Sequence, residues 1–258
     1  MPVLVRPPPA PEPSVILAEA FDAIADRYDD CYRDARCRAE DQLLKHRLHT
    51  FLRPSPIASV LDLGCGTGLF LRLMGWPAHR YTGIDISPRM LHRARATFPR
   101  CTFIEASMDD RLPLVDSSFH AVVSLYALSY VSAPLHVVEE IARLLKPGGR
   151  CFLVVYAPRW YPAYSHRVPT VDLATSPAAW SCWQALTRMR MSRFRDVRLT
   201  AFSMLPTRLL PLELPLARWL PGCGRYLIIE GTRRDDVASE TIDQRAARLP
   251  NAPLQRAH

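Results

Sequence analysis

The chain has 258 residues, 33 Lys+Arg against 25 Asp+Glu, a formal net charge of +8, and an apolar share of 48%. That length suits one sizeable α/β domain with short extensions, and the apolar share excludes global disorder. No apolar run approaches the roughly 18–20 residues of a membrane span. The opening MPVLVRPPPAPEPS lacks a basic flank followed by an apolar stretch, so no secretory signal is expected.

Lys45 and Lys146 are the only lysines among the 33 basic residues, and Pro is abundant at 24, a pairing that reads as coding bias towards Arg and Pro. The arginines are spread along the chain, so no nucleic-acid partner is expected from charge alone. Seven cysteines form no C-x-x-C pair and are odd in number, so neither a disulfide framework nor a zinc site is expected, and a reducing cytoplasm fits.

Residues 1–14 read as a flexible Pro-rich leader and 233–258 as a polar tail. One domain spans 15–232, with helices at 15–53, a core at 59–156, and a further segment with the last strands at 157–232. In Val15–Tyr32 the apolar positions Ile16, Ala20, Phe21, Ile24 and Tyr28 recur at helical spacing, as do those of Arg38–Leu52. The period then changes to short apolar runs: Ser59–Leu63, Tyr81–Asp85, Thr102–Glu105, Ala121–Leu125 and Cys151–Tyr156. Helical patterns lie between them. Ser87-Pro88 reads as N-cap and N1 of a helix through Phe98. Leu135–Leu145 reads as a helix stopped by Lys146-Pro147-Gly148-Gly149, followed by a tight turn. A helix at Ala178–Arg190 and strands at Val197–Phe202 and Tyr226–Gly231 complete the pattern. The fold class is therefore α/β: a Rossmann-like, seven-stranded, mostly parallel sheet with helices on both faces, plus N-terminal helices.

Val60-Leu61-Asp62-Leu63-Gly64-Cys65-Gly66-Thr67-Gly68 delivers an apolar strand into a glycine-rich turn and then a helix near Leu69. Glycines there admit positive φ and a close ligand. The spacing is G-x-G-x-G, and Leu69 stands where a dinucleotide fingerprint wants its third glycine. No Lys-Ser/Thr pair follows, so the Walker pattern fails too. Asp85 ends the next strand, 21 residues after Gly64, where a carboxylate can accept both hydroxyls of a ribose.

These motifs resemble the class I S-adenosylmethionine-dependent methyltransferases. VLDLGCGTG is similar to their first motif, GIDIS to the acidic motif of strand two, LLKPGG to the turn before strand five, and Met108–Phe119 to the segment between strands three and four. Phe21-Asp22-Ala23-Ile24-Ala25-Asp26-Arg27-Tyr28-Asp29 resembles the entrance helix of small-molecule members, ubiquinone and menaquinone methyltransferases included. The resemblance implies that Gly64, Cys65, Gly66 and Gly68 line the methionine moiety of S-adenosylmethionine, with Asp62 supporting the turn and the ammonium. It implies that Asp85 holds the ribose, Ile86 packs on the adenine, and Ser107, Met108 or Asp109 meets the adenine amino group. Met108 stands where the family places an acidic residue. Ser124 and Leu125 would approach the sulfonium, and Tyr28 would close over the amino-acid end, the first helices forming a lid.

Methyl transfer is an in-line displacement, so an aromatic acceptor pocket is a clearer signal than a catalytic dyad. Tyr126 and Tyr130 follow strand four; Tyr156, Trp160, Tyr161, Tyr164 and His166 follow strand five. They are the candidate acceptor wall, with His166 as candidate base and Tyr126 as the other catalytic candidate. No His/Cys/Asp cluster has metal-ligand spacing, so no metal is expected. The expected activity is methyl transfer to O, N or C of a small aromatic or heterocyclic metabolite, with secondary metabolism as the setting. A quinone C-methyltransferase, an RNA methyltransferase and a non-catalytic cofactor-binding protein remain alternatives. Ser124-Leu125-Tyr126-Ala127 stands where base-directed enzymes carry Asn/Asp-Pro-Pro-aromatic, which disfavours RNA. The acceptor and the oligomeric state are not legible.

Overall fold

The computed structural model describes residues 12–53, 57–156, 193–202 and 225–235. Helix α1 (Pro13–Ile24) runs into a 3-10 segment, Ala25–Tyr32, so the first helical stretch is broken in two and begins two residues earlier than its apolar spacing suggests. Asp34 then caps α2 (Ala35–Leu52), accepting the Cys37 N–H at 2.7 Å.

From there strand and helix alternate. β1 (Val60–Leu63) is followed by α3 (Leu69–Met74), and β2 (Tyr81–Asp85) by α4 (Pro88–Thr97). β3 (Thr102–Glu105) and β4 (Phe119–Leu125) precede α5 (Pro134–Leu144), and β5 (Leu145–Tyr156) follows at once. β6 (Phe194–Phe202) and β7 (Tyr226–Arg233) close the sheet. Its order is β3-β2-β1-β4-β5-β7-β6, and β7 alone runs antiparallel to the other strands. Ser87 caps α4 as its position before Pro88 suggests, its hydroxyl accepting the Met90 N–H at 3.1 Å.

β5 departs from the expected pattern. Lys146-Pro147-Gly148-Gly149 lies inside the strand, as an irregularity in its pairing with β4: Leu145 faces Phe119, and regular register resumes at Ala121 with Arg150. Gly148 at φ 72° and a Gly149 Cβ position only 2.7 Å from the Lys146 carbonyl explain why two glycines are needed.

The sheet is buried on both faces, and strand alternation sorts the core. Leu61 and Leu63 of β1 pack with Val137, Val138 and Ile141 of α5. Val60 faces the other way, with Leu44, Leu48 and Phe51 of α2 and Phe70 of α3. Chain order reverses between β1 and β4, because β2 and β3 lie on one side and β5 on the other. In an open α/β sheet, ligands bind outside the carboxyl ends of the strands flanking that reversal. Among the described residues no helix is long and apolar enough to cross a membrane.

Candidate functional site

The chain leaves β1 through three glycines with positive φ: Gly64 at 71°, Gly66 at 52° and Gly68 at 95°. The N–H groups of Gly64 and Cys65 both reach the Ile84 carbonyl, at 2.8 and 2.9 Å, which clamps the turn against the end of β2. A Cβ on Gly64 would lie 2.1 Å from Ala127 Cβ, whereas a Cβ on Gly66 meets nothing within 4 Å. Gly66 thus faces open space, and it lines both cavities found at this end of the sheet.

Asp85 sits at the tip of β2 with both oxygens engaged. Oδ2 accepts the Gly66 N–H at 2.7 Å and Oδ1 the Ser87 N–H at 2.9 Å. Burial pushes its carboxyl up, and these backbone bonds oppose the rise. Asp62 is buried on β1 and accepts the Tyr81 hydroxyl at 2.8 Å. Burial pushes its carboxyl up to about 7, against the Tyr81 bond and helped by Asp85. An acid raised in the folded state adds a stability that is complete at low pH and lost as pH rises through about 7. Asp62→Asn should therefore gain stability over the parent at pH 8 but not at pH 5, read from thermal melts at both. An equal gap at the two values would contradict the burial of a charge there.

The first cavity is a cleft bounded by Gly64, Gly66, Asp85, Ile86, Ser107, Met108, Asp109, Leu125, Tyr126, Tyr130 and Tyr156. Leu17 and Phe21 of α1, with Tyr28 of the 3-10 segment, roof it. Three aspartates tie that roof down. Asp22 accepts the Ser87 hydroxyl at 2.5 Å and the Arg89 N–H at 3.0 Å. Asp26 pairs with Arg89 at 2.6 Å. Asp29 accepts the Thr67 hydroxyl at 2.7 Å and pairs with Arg72 at 3.1 Å and Arg93 at 3.5 Å. Removing the Asp22 carboxylate strands the Ser87 hydroxyl and the Arg89 N–H. Asp22→Ala should therefore cost about 1–2 kcal/mol in chemical denaturation; no loss would mean the roof is held without this carboxylate, by its apolar contacts and the Asp26 and Asp29 pairs.

The second cavity, of about 480 Å³, adjoins the first. Tyr28, Gly64, Gly66, Leu125, Tyr126 and Tyr156 line both, and Asp62 and Cys65 line the second. Tyr126 stands at this junction with φ 70°, an uncommon conformation for a bulky residue, immediately after β4. Its ring packs on Tyr226 at 4.8 Å and Tyr156 at 6.1 Å, and burial holds its phenol well above the ordinary value.

Two candidates lie in neither cavity. Gly68 caps α3, and Ser124 donates to the Leu63 carbonyl at 2.8 Å. Asp109 lines the cleft yet also caps the next segment, accepting the N–H groups of Ser132 and Ala133 at 2.8–3.0 Å. Trp160, Tyr161, Tyr164 and His166 lie outside the described residues, as does the helix expected at Ala178–Arg190. The sequence gives no site signal at the roof residue Leu17, nor at Glu40 of α2. Phe21 was legible in the entrance motif. Nothing in the sequence marks Asp41.

A family model for a methyltransferase domain matches residues 61–153, from β1 into β5. The segment from β1 into β5 is thus similar to a methyltransferase domain. A ubiquinone/menaquinone biosynthesis C-methyltransferase of Desulfotalea psychrophila is 36% identical over 134 residues, 51% of this chain and 54% of that protein. A trans-aconitate 2-methyltransferase of Enterobacter sp. is 40% identical over 98 residues, 36% of this chain and 37% of that protein. The chain thus spans about half the length, or less, of these curated relatives. A Thermotoga maritima structure described as a methyltransferase, possibly for histamine N-methylation, superimposes with a TM-score of 0.62 at 19% identity, covering 84% of this chain and all of that one. That likeness carries the fold. This end of the sheet brings together an open Gly66 backbone, a half-buried carboxylate at the tip of β2, and apolar Ile86 and Met108 beside it.

Proposed function

We propose that this chain transfers a methyl group from S-adenosylmethionine to O, N or C of a small aromatic or heterocyclic metabolite. The observation that carries the reading is the cleft at the strand-order reversal, bounded by the Gly64–Gly68 turn on one side and Asp85 on the next strand. Bound there, S-adenosylmethionine supplies an electrophilic methyl on sulfur. The chain's own residues do the rest. Asp85 receives the ribose hydroxyls, and Gly64 and Gly66 admit the amino-acid end. Leu17, Phe21 and Tyr28 exclude water, and the junction at Tyr126 opens onto the second cavity, which receives the acceptor.

Relatives that share this segment are named for quite different acceptors, a quinone and trans-aconitate among them. That diversity supports assigning the segment to the cofactor and the acceptor to what surrounds it. The 36% identity with the quinone-pathway enzyme keeps C-methylation of a quinone as the second reading. Incubation with methyl-labelled S-adenosylmethionine and a panel of phenols, heteroaromatic amines and reduced quinones tests both. Label on a phenol or amine supports the first reading, and label on the quinone ring the second. Cofactor binding with no transfer to any acceptor class would leave a binding protein without catalysis.

A further inference from the structure

The second cavity holds a charge pattern that deepens the function proposed above and rests on it. One part of its wall is aromatic: the rings of Tyr126, Tyr156 and Tyr226 lie 4.8 to 6.1 Å apart, centre to centre. Ring faces carry negative potential and attract a desolvated cation. Another part is α2, which brings Glu40 and Asp41 to the cavity.

The charged groups around it are committed elsewhere. Arg72 bonds the Thr67 carbonyl and hydroxyl at 3.1 Å and pairs with Asp29. Arg33 pairs with Asp30 at 2.9 Å, and the Arg38 guanidinium donates to the Arg33 carbonyl. Glu40 receives Arg36 at 2.9 Å. Asp41 differs: among the described residues its carboxylate makes no hydrogen bond and no ion pair. The groups that act on it are Glu40 on its own helix, Arg72 on α3, and the Tyr126 hydroxyl after β4. A half-buried carboxylate with no hydrogen-bonded or ion-paired partner among the described residues, in a cavity walled in part by tyrosines, is an acceptor for a positive ligand.

We propose that Asp41 anchors a cationic nitrogen of the methyl acceptor, so that the substrate is an amine-bearing aromatic or heteroaromatic molecule held between this carboxylate and the tyrosine rings. Burial raises the Asp41 carboxyl to about 6, with Glu40 adding and Arg72 opposing. The anchor therefore loses its charge as pH falls through about 6, while an aliphatic amine stays protonated throughout.

The full chain, saturated with S-adenosylhomocysteine, is titrated calorimetrically at pH 7.5 with tryptamine, tryptophol and indole-3-acetate, which share a ring and differ in the charge of the side chain. Tryptamine should bind at least ten-fold more tightly than the other two. Asp41→Asn should lose that preference while still binding S-adenosylhomocysteine, which shows the variant is folded. In the parent protein, tryptamine affinity should fall about ten-fold between pH 7 and pH 5, a readout that needs no variant. Indole-3-acetate binding as well as tryptamine, absence of tryptamine binding, or a preference that survives in Asp41→Asn would each overturn the assignment. Failure of S-adenosylhomocysteine to bind would overturn the proposed function and the assignment together; loss of the amine preference alone leaves the proposed function standing.

Discussion

Replacing Gly64 by alanine should lower the stability of the domain by about 3 kcal/mol and abolish S-adenosylhomocysteine binding. Two costs add. The new methyl would stand 2.1 Å from Ala127 Cβ, and neither atom belongs to a flexible chain that can swing away. The backbone at φ 71° adds a further penalty for any residue with a Cβ. Overpacking costs about 1–3 kcal/mol and the left-handed backbone about 1–2 kcal/mol. For a domain of this size the sum lowers the Tm by on the order of 6–10 °C.

Gly66→Ala is the informative partner. It carries the same backbone penalty at φ 52° but meets no protein atom, because its Cβ projects into open space that both cavities share. It should remain folded, losing about 1–2 kcal/mol, and still fail to bind. The obstruction that a side chain on Gly66 creates is thus to the ligand, whereas one on Gly64 is blocked by the protein itself. Melting curves and calorimetry on the two variants check this. A parent-like Tm for Gly64→Ala, or full affinity in Gly66→Ala, would contradict it.

The second large effect is on binding. Asp85→Ala should weaken S-adenosylhomocysteine by about 1.5–3 kcal/mol, the usual size for hydrogen bonds to a charged group, or roughly 10- to 150-fold. The carboxylate also has a structural role, since it receives the N–H groups of Gly66 and Ser87 and so fastens the glycine turn to the start of α4. A ligand hydroxyl competes for oxygens that already have partners, and the variant frees that turn as well as removing the ribose anchor. Equal affinity in Asp85→Ala and the parent would sink the ribose assignment.

Much of the fold is legible in the sequence because local signals and burial agree. β2 and β3 begin and end where their apolar runs do, at Tyr81–Asp85 and Thr102–Glu105, and Ser87-Pro88 opens α4 as capping chemistry requires. The glycine turn and Asp85 are legible for the same reason: positive φ and a strand-end carboxylate leave a mark at fixed positions. β5 starts six residues before its apolar run, since Lys146-Pro147-Gly148-Gly149 has turn composition and becomes a strand irregularity only through its pairing with β4. The α2 part of the second cavity's wall is not legible, for a different reason. Asp41 sits on an amphipathic helix, where a carboxylate reads as part of the solvated face. Packing of α2 on α3 brings that position to the cavity beside Arg72, and no local pattern records it. The left-handed Tyr126 is equally silent, since a tyrosine carries no sign of the backbone it will adopt.

The central claim is that this glycine turn and Asp85 form an S-adenosylmethionine site. Calorimetric titration of the full chain with S-adenosylhomocysteine and, separately, with NADH tests it most directly. Micromolar binding of S-adenosylhomocysteine with silence from NADH is the predicted result. Binding of NADH with no response to S-adenosylhomocysteine would mean that the G-x-G-x-G spacing serves a dinucleotide, and the proposed methyl transfer would fall with it.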